Sequence, residues 1–155
     1  MPDVELRGAD DVDALVRRIR THADAKELRK ELYAGLNRVT KGVREDMKAS
    51  IGPSLPSRGG LAALVMAKAS LTSTASTGRN AGVRIRARRR DGGDLKRLNE
   101  GRLRHPVFGN REAWVQQTAG VDGGFLDEAF DKNKAEVARG VQRVMADIAR
   151  KVEGH

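Results

Sequence analysis

Apolar positions in the N-terminal third of the chain recur at helical spacing and predict two helices. The first runs from about Asp10 to His22, with apolar residues three or four positions apart along one face. The second begins near Asp24, where an Asp-x-x-Glu run has the spacing of a capping box. It continues for about 25 residues towards the Gly52-Pro53 pair. Residues 10–50 are therefore predicted to be helical, and the stripe of the second helix is Leu28, Leu32, Leu36, Val39, Val43 and Met47.

The middle of the chain changes from helical spacing to alternation. Residues 51–60 contain two prolines and three glycines and predict a loop. Within residues 61–90, a short Ala-rich helix is followed by two alternating segments around a glycine-rich turn, which predicts a β-hairpin. In the second strand of this hairpin, Val83, Ile85 and Ala87 alternate with Arg84, Arg86 and Arg88. One face of that strand is expected to be core and the other to carry the arginines.

The C-terminal part predicts one more strand and a long helix. Residues 94–117 are expected to form a contact loop that ends in a third strand at Trp114–Gln117. A long apolar stripe then predicts a C-terminal helix over residues 125–152. The element order predicts an α+β fold in which a small antiparallel sheet, made of the hairpin and the third strand, is packed by the N-terminal helix pair and the C-terminal helix. With 155 residues, positions 1–155 are expected to form a single domain.

Positive charge is concentrated in one window of the chain. The formal net charge is +9, and the segment from Arg79 to Arg104 contains ten Lys or Arg against three acidic residues, a net +7. Such a block attracts polyanions, nucleic acid above all. It is equally typical of a solvated strand face or of a surface that meets an acidic neighbouring subunit. The candidates for facing phosphate or a DNA channel are Arg84, Arg86, Arg88, Arg89 and Arg90.

The sequence contains no motif that indicates an enzyme. The absence of Cys excludes disulfides, thiolate catalysis and sulfur-based zinc sites. There is no phosphate-binding loop, no dinucleotide fingerprint and no serine-hydrolase elbow, and the three His residues lack metal-binding spacing. We therefore expect no catalytic residue, no cofactor and no metal, and keep an enzyme built from distant residues only as a third hypothesis. No apolar run reaches the ~20 residues that span a bilayer, and the acidic N-terminus lacks the apolar segment of a secretory signal, so a soluble protein without membrane partners is expected.

The segment Gly101–Gln117 is the most distinctive part of the chain, because it holds the single Trp and one of three Phe residues. Pro106 restricts the backbone, Gly109 permits a turn, and Phe108 with Trp114 is expected to anchor the loop on the sheet. Two interpretations are open: a rigid loop whose His satisfies a local hydrogen bond, or a preformed element that docks onto a neighbouring subunit. The candidate contact residues are Arg104, His105, Pro106, Phe108, Asn110, Arg111 and Trp114.

The same segment resembles a family of tailed-phage morphogenesis proteins. The resemblance lies in the run Arg-His-Pro-Val-Phe-Gly-Asn-Arg, the Trp-Val-Gln-Gln that follows, and the Gly-Phe-Leu that opens the last helix. It extends to the start of the second helix, to the Pro–Arg-Gly-Gly-Leu-Ala connection and to the basic strand. These are the neck or tail-completion proteins grouped with the gene-ten product of a lambdoid phage. This chain departs from them after Gln117, where Thr-Ala-Gly-Val-Asp-Gly-Gly replaces a proline-rich connection.

The resemblance implies a structural virion protein and not an enzyme. Such a protein forms a six- or twelvefold homo-oligomeric ring in the head–tail connector, where it joins the tail to the DNA-filled head. Its implied partners are further copies of itself, other neck and tail proteins, and packaged double-stranded DNA contacted through phosphates. Its implied location is the virion neck, after assembly in the bacterial host cytoplasm. Ring closure requires two complementary patches on each subunit, for which the basic hairpin and the more acidic N-terminal surface are candidates.

The charge alone supports an alternative, a free-standing DNA-binding protein without sequence specificity. It rests on the sequence pI of about 10.5 and on the +7 window. Tight DNA binding by the isolated chain would favour this alternative over a ring subunit.

Overall fold

A computed structural model of the chain describes residues 9–76, 82–107, 109–117 and 121–154. Along the chain these form α1 (Ala9–Arg20), α2 (Ala25–Val39), α3 (Lys41–Ala49), a 3-10 turn (Arg58–Gly60), α4 (Leu61–Lys68), β1 (Ala69–Ser76), β2 (Gly82–Arg89), α5 (Leu95–Asn99), β3 (Leu103–Val107), β4 (Asn110–Gln117) and α6 (Phe125–Glu153). The strands make two antiparallel pairs, β1 with β2 and β3 with β4. The predicted α+β fold class is confirmed.

The chain folds into two compact units, each assembled from separate segments. One unit comprises the described residues of Glu45–Leu71 and Ala87–Asp131. It is called the hairpin unit because it contains the whole β3–β4 pair. The three-helix unit comprises the described residues up to Arg44, together with Thr72–Arg86 and the residues from Lys132 onward. The single cooperative domain expected from the chain length stays a prediction.

The core of the three-helix unit is built from the apolar stripes of α1, α2 and α6. α2 and α6 approach closely at two glycines, because a Cβ at Gly35 would lie 2.6 Å from Val144 Cγ1 and one at Gly140 would lie 2.7 Å from Val39 Cγ1. The stripe predicted for α1 is buried, and so are most of the apolar positions predicted on the other two helices. In the parts of these helices that belong to this unit, the buried side chains are Val12, Leu15, Val16, Ile19, Leu28, Leu32, Leu36, Val137, Val141 and Ile148.

The predicted long second helix is two helices separated at Thr40. The Thr40 hydroxyl is buried and donates to the backbone oxygens of Leu36 (3.2 Å) and Asn37 (3.1 Å). This back-bonding competes with the regular helical pattern and bends the chain. The predicted capping box is also wrong, because the Asp24 side chain makes no capping hydrogen bond. Instead, the Asp24 backbone N–H donates to His22 Nδ1 at 3.1 Å.

The predicted single sheet is wrong in one respect. The β1–β2 pair matches the predicted hairpin, whose turn at residues 78–81 lies outside the described residues. The predicted third strand begins earlier, at Asn110, and pairs with β3 in a separate sheet. β3 occupies part of the segment predicted to be a contact loop. That segment gives no alternating pattern, because neither of its faces is buried.

Candidate interaction surfaces

The β3–β4 hairpin starts from the end of the short helix α5. Asp94 caps this helix, since its side-chain oxygen accepts from the Arg97 backbone N–H at 3.0 Å. The helix ends at Asn99, and the chain turns at Gly101, whose φ of +74° favours glycine. The Gly101 N–H donates to the Leu98 oxygen (2.9 Å) and the Arg102 N–H donates to the Arg97 oxygen (2.8 Å), which is a Schellman-type helix end. The chain therefore turns directly from α5 into β3.

Asn99 fixes the base of the hairpin to the first turn of α6. Its side-chain oxygen accepts from the Leu126 N–H at 2.9 Å, and its side-chain amide donates to Asp127 at 2.7 Å. Its backbone oxygen accepts from the Gly124 N–H at 2.6 Å. Asn99 was not among the residues predicted from the sequence. A helix bounded by an Asp cap and a closing Gly101 is the signal that would have located it near a helix end.

The pairing of β3 with β4 defines two faces of the hairpin. Residues directly opposite each other share a face, and the opposed pairs are Leu103 with Gln117, Arg104 with Gln116, His105 with Val115, and Pro106 with Trp114. One face therefore carries Arg104, Pro106, Trp114 and Gln116. Pro106 is tolerated because each strand of a two-stranded sheet has an open edge, where a missing N–H costs no ladder bond.

The tip of the hairpin is shaped by Gly109 and Asn110. Gly109 has a φ of +81°, and the Asn110 side-chain oxygen accepts from the backbone N–H groups of Glu112 (3.0 Å) and Ala113 (3.3 Å). The register shifts between Pro106 and Val107. Asn110, predicted as a contact residue, thus holds the turn through its side chain. Phe108 lies outside the described residues.

No described side chain between Asn99 and Gln116 is buried. Trp114 is 52% exposed, Val115 is 43% exposed and Val107 is 39% exposed. The prediction that Trp114 anchors a loop on the sheet is therefore wrong for Trp114, which lies within strand β4 and is exposed. The hairpin extends from the hairpin unit as an arm that presents apolar and cationic side chains to solvent.

A basic and aromatic cluster covers one face of this arm. The Arg104 guanidinium carbon lies 5.9 Å from the centre of the Trp114 ring, within the range of a cation–π contact. Arg97, Arg102 and Gln116 join this pair around an open depression of about 350 Å³. Two of these cations have carboxylate partners: Arg97 contacts Asp94 at 3.3 Å, and Arg102 contacts Glu100. The hydrogen bond from Arg102 holds the pKa of Glu100 below its ordinary value.

The remaining predicted contact residues lie on the same arm. His105 is half-buried, and its Nδ1 lies 3.0 Å from the backbone oxygen of Pro106, as expected for a locally satisfied side chain. Arg111 is exposed in β4. Arg97, Arg102 and Gln116 were not predicted, because their place beside Trp114 depends on the tight turn at Gly101.

The arginines of β2 and of the residue that follows it differ in exposure. Val83 and Ile85 are buried, whereas Arg86 and Arg88 are exposed, so the predicted alternation is confirmed. Arg90, directly after the strand, is also exposed, and Arg84 is half-buried and engaged in an interaction of its own. None of the three exposed arginines makes an ion pair with a described residue.

Arg89 differs from the other arginines of the basic segment. Its side chain is only 13% exposed, and its Nε and Nη2 lie 3.0 Å and 2.5 Å from the two carboxylate oxygens of Asp91. The guanidinium lies over Gly93, where an added Cβ would collide with it. Its odd-numbered position in the strand places Arg89 on the same side as Val83 and Ile85, apart from the exposed arginines, and a phosphate contact by Arg89 stays a prediction. The Arg89 hydrogen bonds hold the pKa of Asp91 below its ordinary value.

Membrane spans and metal centres are both absent from the described part of the chain. No helix there is both long and apolar enough to cross a membrane. In the same ranges, no group of three or more His, Asp or Glu side chains is placed to hold a metal ion.

Comparison of the chain with protein-family models, with curated proteins and with solved structures found no match in any of the three.

Proposed function

We propose that the chain is a structural virion protein that forms a six- or twelvefold ring in the head–tail connector of a tailed phage. In this role it joins the tail to the DNA-filled head, around the channel through which the DNA passes. Its partners are further copies of itself, the adjoining neck and tail proteins, and the DNA. It performs no catalysis and is assembled in the cytoplasm of the bacterial host.

The observation that carries the proposal is the exposed arm formed by β3 and β4. An isolated two-stranded hairpin is at best marginally stable in water, and this one has no buried side chain among its described residues up to Gln116. It nevertheless displays Trp114 and two valines to solvent. Such a surface is expected where the arm becomes covered by a neighbouring molecule.

The residue types of the arm support a protein partner for it. Trp and Arg are the residues most enriched among those that dominate binding energy in protein interfaces, and Arg104 and Trp114 lie together on one face. The base of the arm is fixed by Asn99, so the arm is held ready for docking. In a closed ring, each subunit inserts its arm into a different surface of the next subunit. The Arg104–Arg111 run that resembles the phage family spans most of this arm.

The exposed arginines give the ring a means of contacting DNA. Arg86, Arg88 and Arg90 are well suited to phosphates, which attract guanidinium groups irrespective of base sequence. Contacts of this kind position DNA without reading it. This suits a conduit for DNA of any sequence.

The direct test is electron cryo-microscopy of intact particles of the phage that encodes the chain. The expected result is a closed ring of this chain between portal and tail, with the arm of each subunit in contact with its neighbour. Absence of the chain from purified virions would overturn the proposal.

The exposed arginines also favour a second candidate function, a free-standing DNA-binding protein. That function requires the isolated chain to bind DNA tightly, with log K falling by about 0.9 per phosphate contact for each tenfold rise in salt. A ring subunit is expected to bind DNA only weakly as a monomer. A binding isotherm of the monomeric chain on duplex DNA therefore distinguishes the two functions.

A further inference from the structure

A cluster of cations on α2 lies apart from the arm and from the arginines of β2. Lys26, Arg29, Lys30 and Tyr33 line, together with Ala25, a surface depression of about 550 Å³ in the three-helix unit. Their spacing of three and four positions places them along one side of the helix. Tyr33 is the single Tyr of the chain.

These cations differ from others of the same unit because no described carboxylate lies within ion-pair distance of them. Arg17 contacts Asp13 at 2.6 Å, Arg18 contacts Glu153 at 2.9 Å, and Lys151 contacts Glu31 at 2.5 Å. Across the part of the chain that the structure describes, Lys26, Arg29 and Lys30 make no such ion pair. Lys26 and Lys30, four positions apart, instead place like charges next to each other on the helix, which is unfavourable.

Arg29 adds a sharper observation to this excess of charge. Its Nε is buried and has no hydrogen-bond partner. A buried donor on a charged group is costly when it is left without an acceptor, and native structures satisfy nearly all such groups. The depression is therefore lined by three cations without an ion-pair partner and by a phenol hydroxyl, and the guanidinium of Arg29 also carries a buried N–H that lacks an acceptor.

The chemistry of these groups defines what would satisfy them. A guanidinium offers a planar set of donors that matches oxyanions, two ammonium groups add charge, and the phenol adds a neutral donor. A phosphate group supplies more acceptor oxygens than a carboxylate, and its charge is better matched to three cations. We propose that this α2 cluster binds a phosphate oxyanion, with Arg29 as the main donor and Lys26, Lys30 and Tyr33 around it. The proposal is independent of the ring function.

The test is an NMR titration of the arginine Nε–H resonances in the isolated full-length chain. Inorganic phosphate is added at constant ionic strength, with chloride as the reference anion. The Arg29→Lys variant assigns the Arg29 resonance by its disappearance. A saturable shift of this resonance with phosphate, and none with chloride, is the expected result. An Arg29 resonance that responds equally to both anions overturns the proposal.

Charge-removing variants test the same site by affinity. Lys26→Gln with Lys30→Gln is expected to weaken phosphate binding roughly tenfold or more. The matched control is Arg20→Gln with Arg38→Gln, two exposed cations of the same unit outside the cluster, which removes the same charge and is expected to leave the affinity unchanged. A similar loss in both variants overturns the proposal, because it reduces the effect to overall charge. The double variant removes only exposed side chains, so the test does not depend on the buried Arg29 Nε.

A second titration, with a short DNA duplex, identifies the source of the phosphate. A shift of Arg29 with both ligands supports the site and assigns it to the phosphodiester backbone. A shift with inorganic phosphate alone supports the site and assigns it to a free anion. No shift with either ligand overturns it. These outcomes are read on the isolated chain, so they do not depend on whether the chain is found in the neck of a virion.

Discussion

Gly35 and Gly140 determine how closely α2 and α6 can pack in the three-helix unit. Each faces a valine of the other helix, and valine side chains in helices are nearly fixed in one rotamer. The space above each glycine is therefore occupied by atoms that cannot turn away. The apolar stripes predicted the two helices but not this contact, because a glycine adds nothing to a hydrophobic pattern.

Gly35→Ala is expected to lower the free energy of unfolding by about 1–3 kcal/mol, since its new methyl group overpacks the contact with Val144. Gly42→Ala is the control, because nothing lies within 4 Å of a Cβ at that position in α3. It is expected to raise the stability by up to about 1 kcal/mol through helix propensity. Urea unfolding of both variants measures the difference. Equal effects of the two substitutions would contradict the assigned packing.

Trp114→Ala is expected to change the free energy of unfolding by less than about 1 kcal/mol, because the side chain is 52% exposed. The same substitution is expected to abolish assembly, because it removes the aromatic partner of Arg104. The control is Leu64→Ala, a 45% exposed apolar residue of α4, which should leave assembly intact. Thermal unfolding and light scattering of assembled material give the two readouts. A large decrease in the free energy of unfolding would instead show that Trp114 stabilises the fold.

The Arg89–Asp91 pair gives a prediction at acid pH. Because its folded-state pKa is lowered by Arg89, Asp91 contributes stability above its ordinary value of 3.8, and this contribution is lost as the pH falls through the lowered pKa. Carbon-13 titration of the carboxyl group is expected to show Asp91 ionised below the usual range. Arg89→Gln should raise the pKa of Asp91, because it removes the largest cause of the lowering, whereas Arg88→Gln should leave it unchanged. An unshifted Asp91 in the unsubstituted protein would disprove the pairing.

The helices and the first hairpin could be predicted from the sequence because each has a buried face that imposes a period. α1, α2 and α6 bury stripes at helical spacing, and β2 buries Val83 and Ile85 at every second position. β3 was missed for the opposite reason, since no side chain of that strand is buried. The break at Thr40 was missed because the apolar stripe continues across it into α3. The aromatic content of the arm still marked it as unusual, although its strand pairing was not foreseen.

The β3–β4 arm is expected to exchange its backbone amides faster than α6. Its hydrogen bonds are exposed and have no core beside them, whereas α6 buries Val137, Val141 and Ile148. Hydrogen–deuterium exchange of the isolated chain, read peptide by peptide, measures this directly. Protection of residues 103–117 equal to that of α6 would contradict the exposed placement of the arm. If the ring proposal holds, protection of the arm rises on assembly.

At the scale of the whole molecule, the net charge counted from the sequence overstates the number of cationic side chains that are free to contact a polyanion. Within the window of +7, Arg89, Lys96, Arg97 and Arg102 each contact a carboxylate. Arg86, Arg88 and Arg90 make no such contact with a described residue. The pairing depends on turns at Gly92 and Gly101 that composition does not reveal, so the paired and unpaired cations could not be told apart from the sequence.

Replacement of Arg86, Arg88 and Arg90 by Gln is expected to reduce the salt dependence of DNA binding by about 0.9 in slope for each phosphate that the variant no longer neutralises. The control replaces Arg17, Arg18 and Arg150 by Gln. This removes the same total charge, but from arginines that are paired with carboxylates. This control should retain the original slope. Fluorescence anisotropy on a labelled duplex at several salt concentrations gives both values. Equal reductions of slope would show that only the total charge matters.

The lack of buried side chains in the β3–β4 arm also bears on how such a protein evolves. Residues in a core are constrained by folding, so a change of partner that alters them risks the whole structure. The arm is held by Asn99 and Gly101 at its base, and its outer positions are released from that constraint. Selection acts on these outer positions through the partner alone, so a run of residues that is kept there, such as Arg104–Arg111, reflects a partner surface that is kept and not a demand of folding.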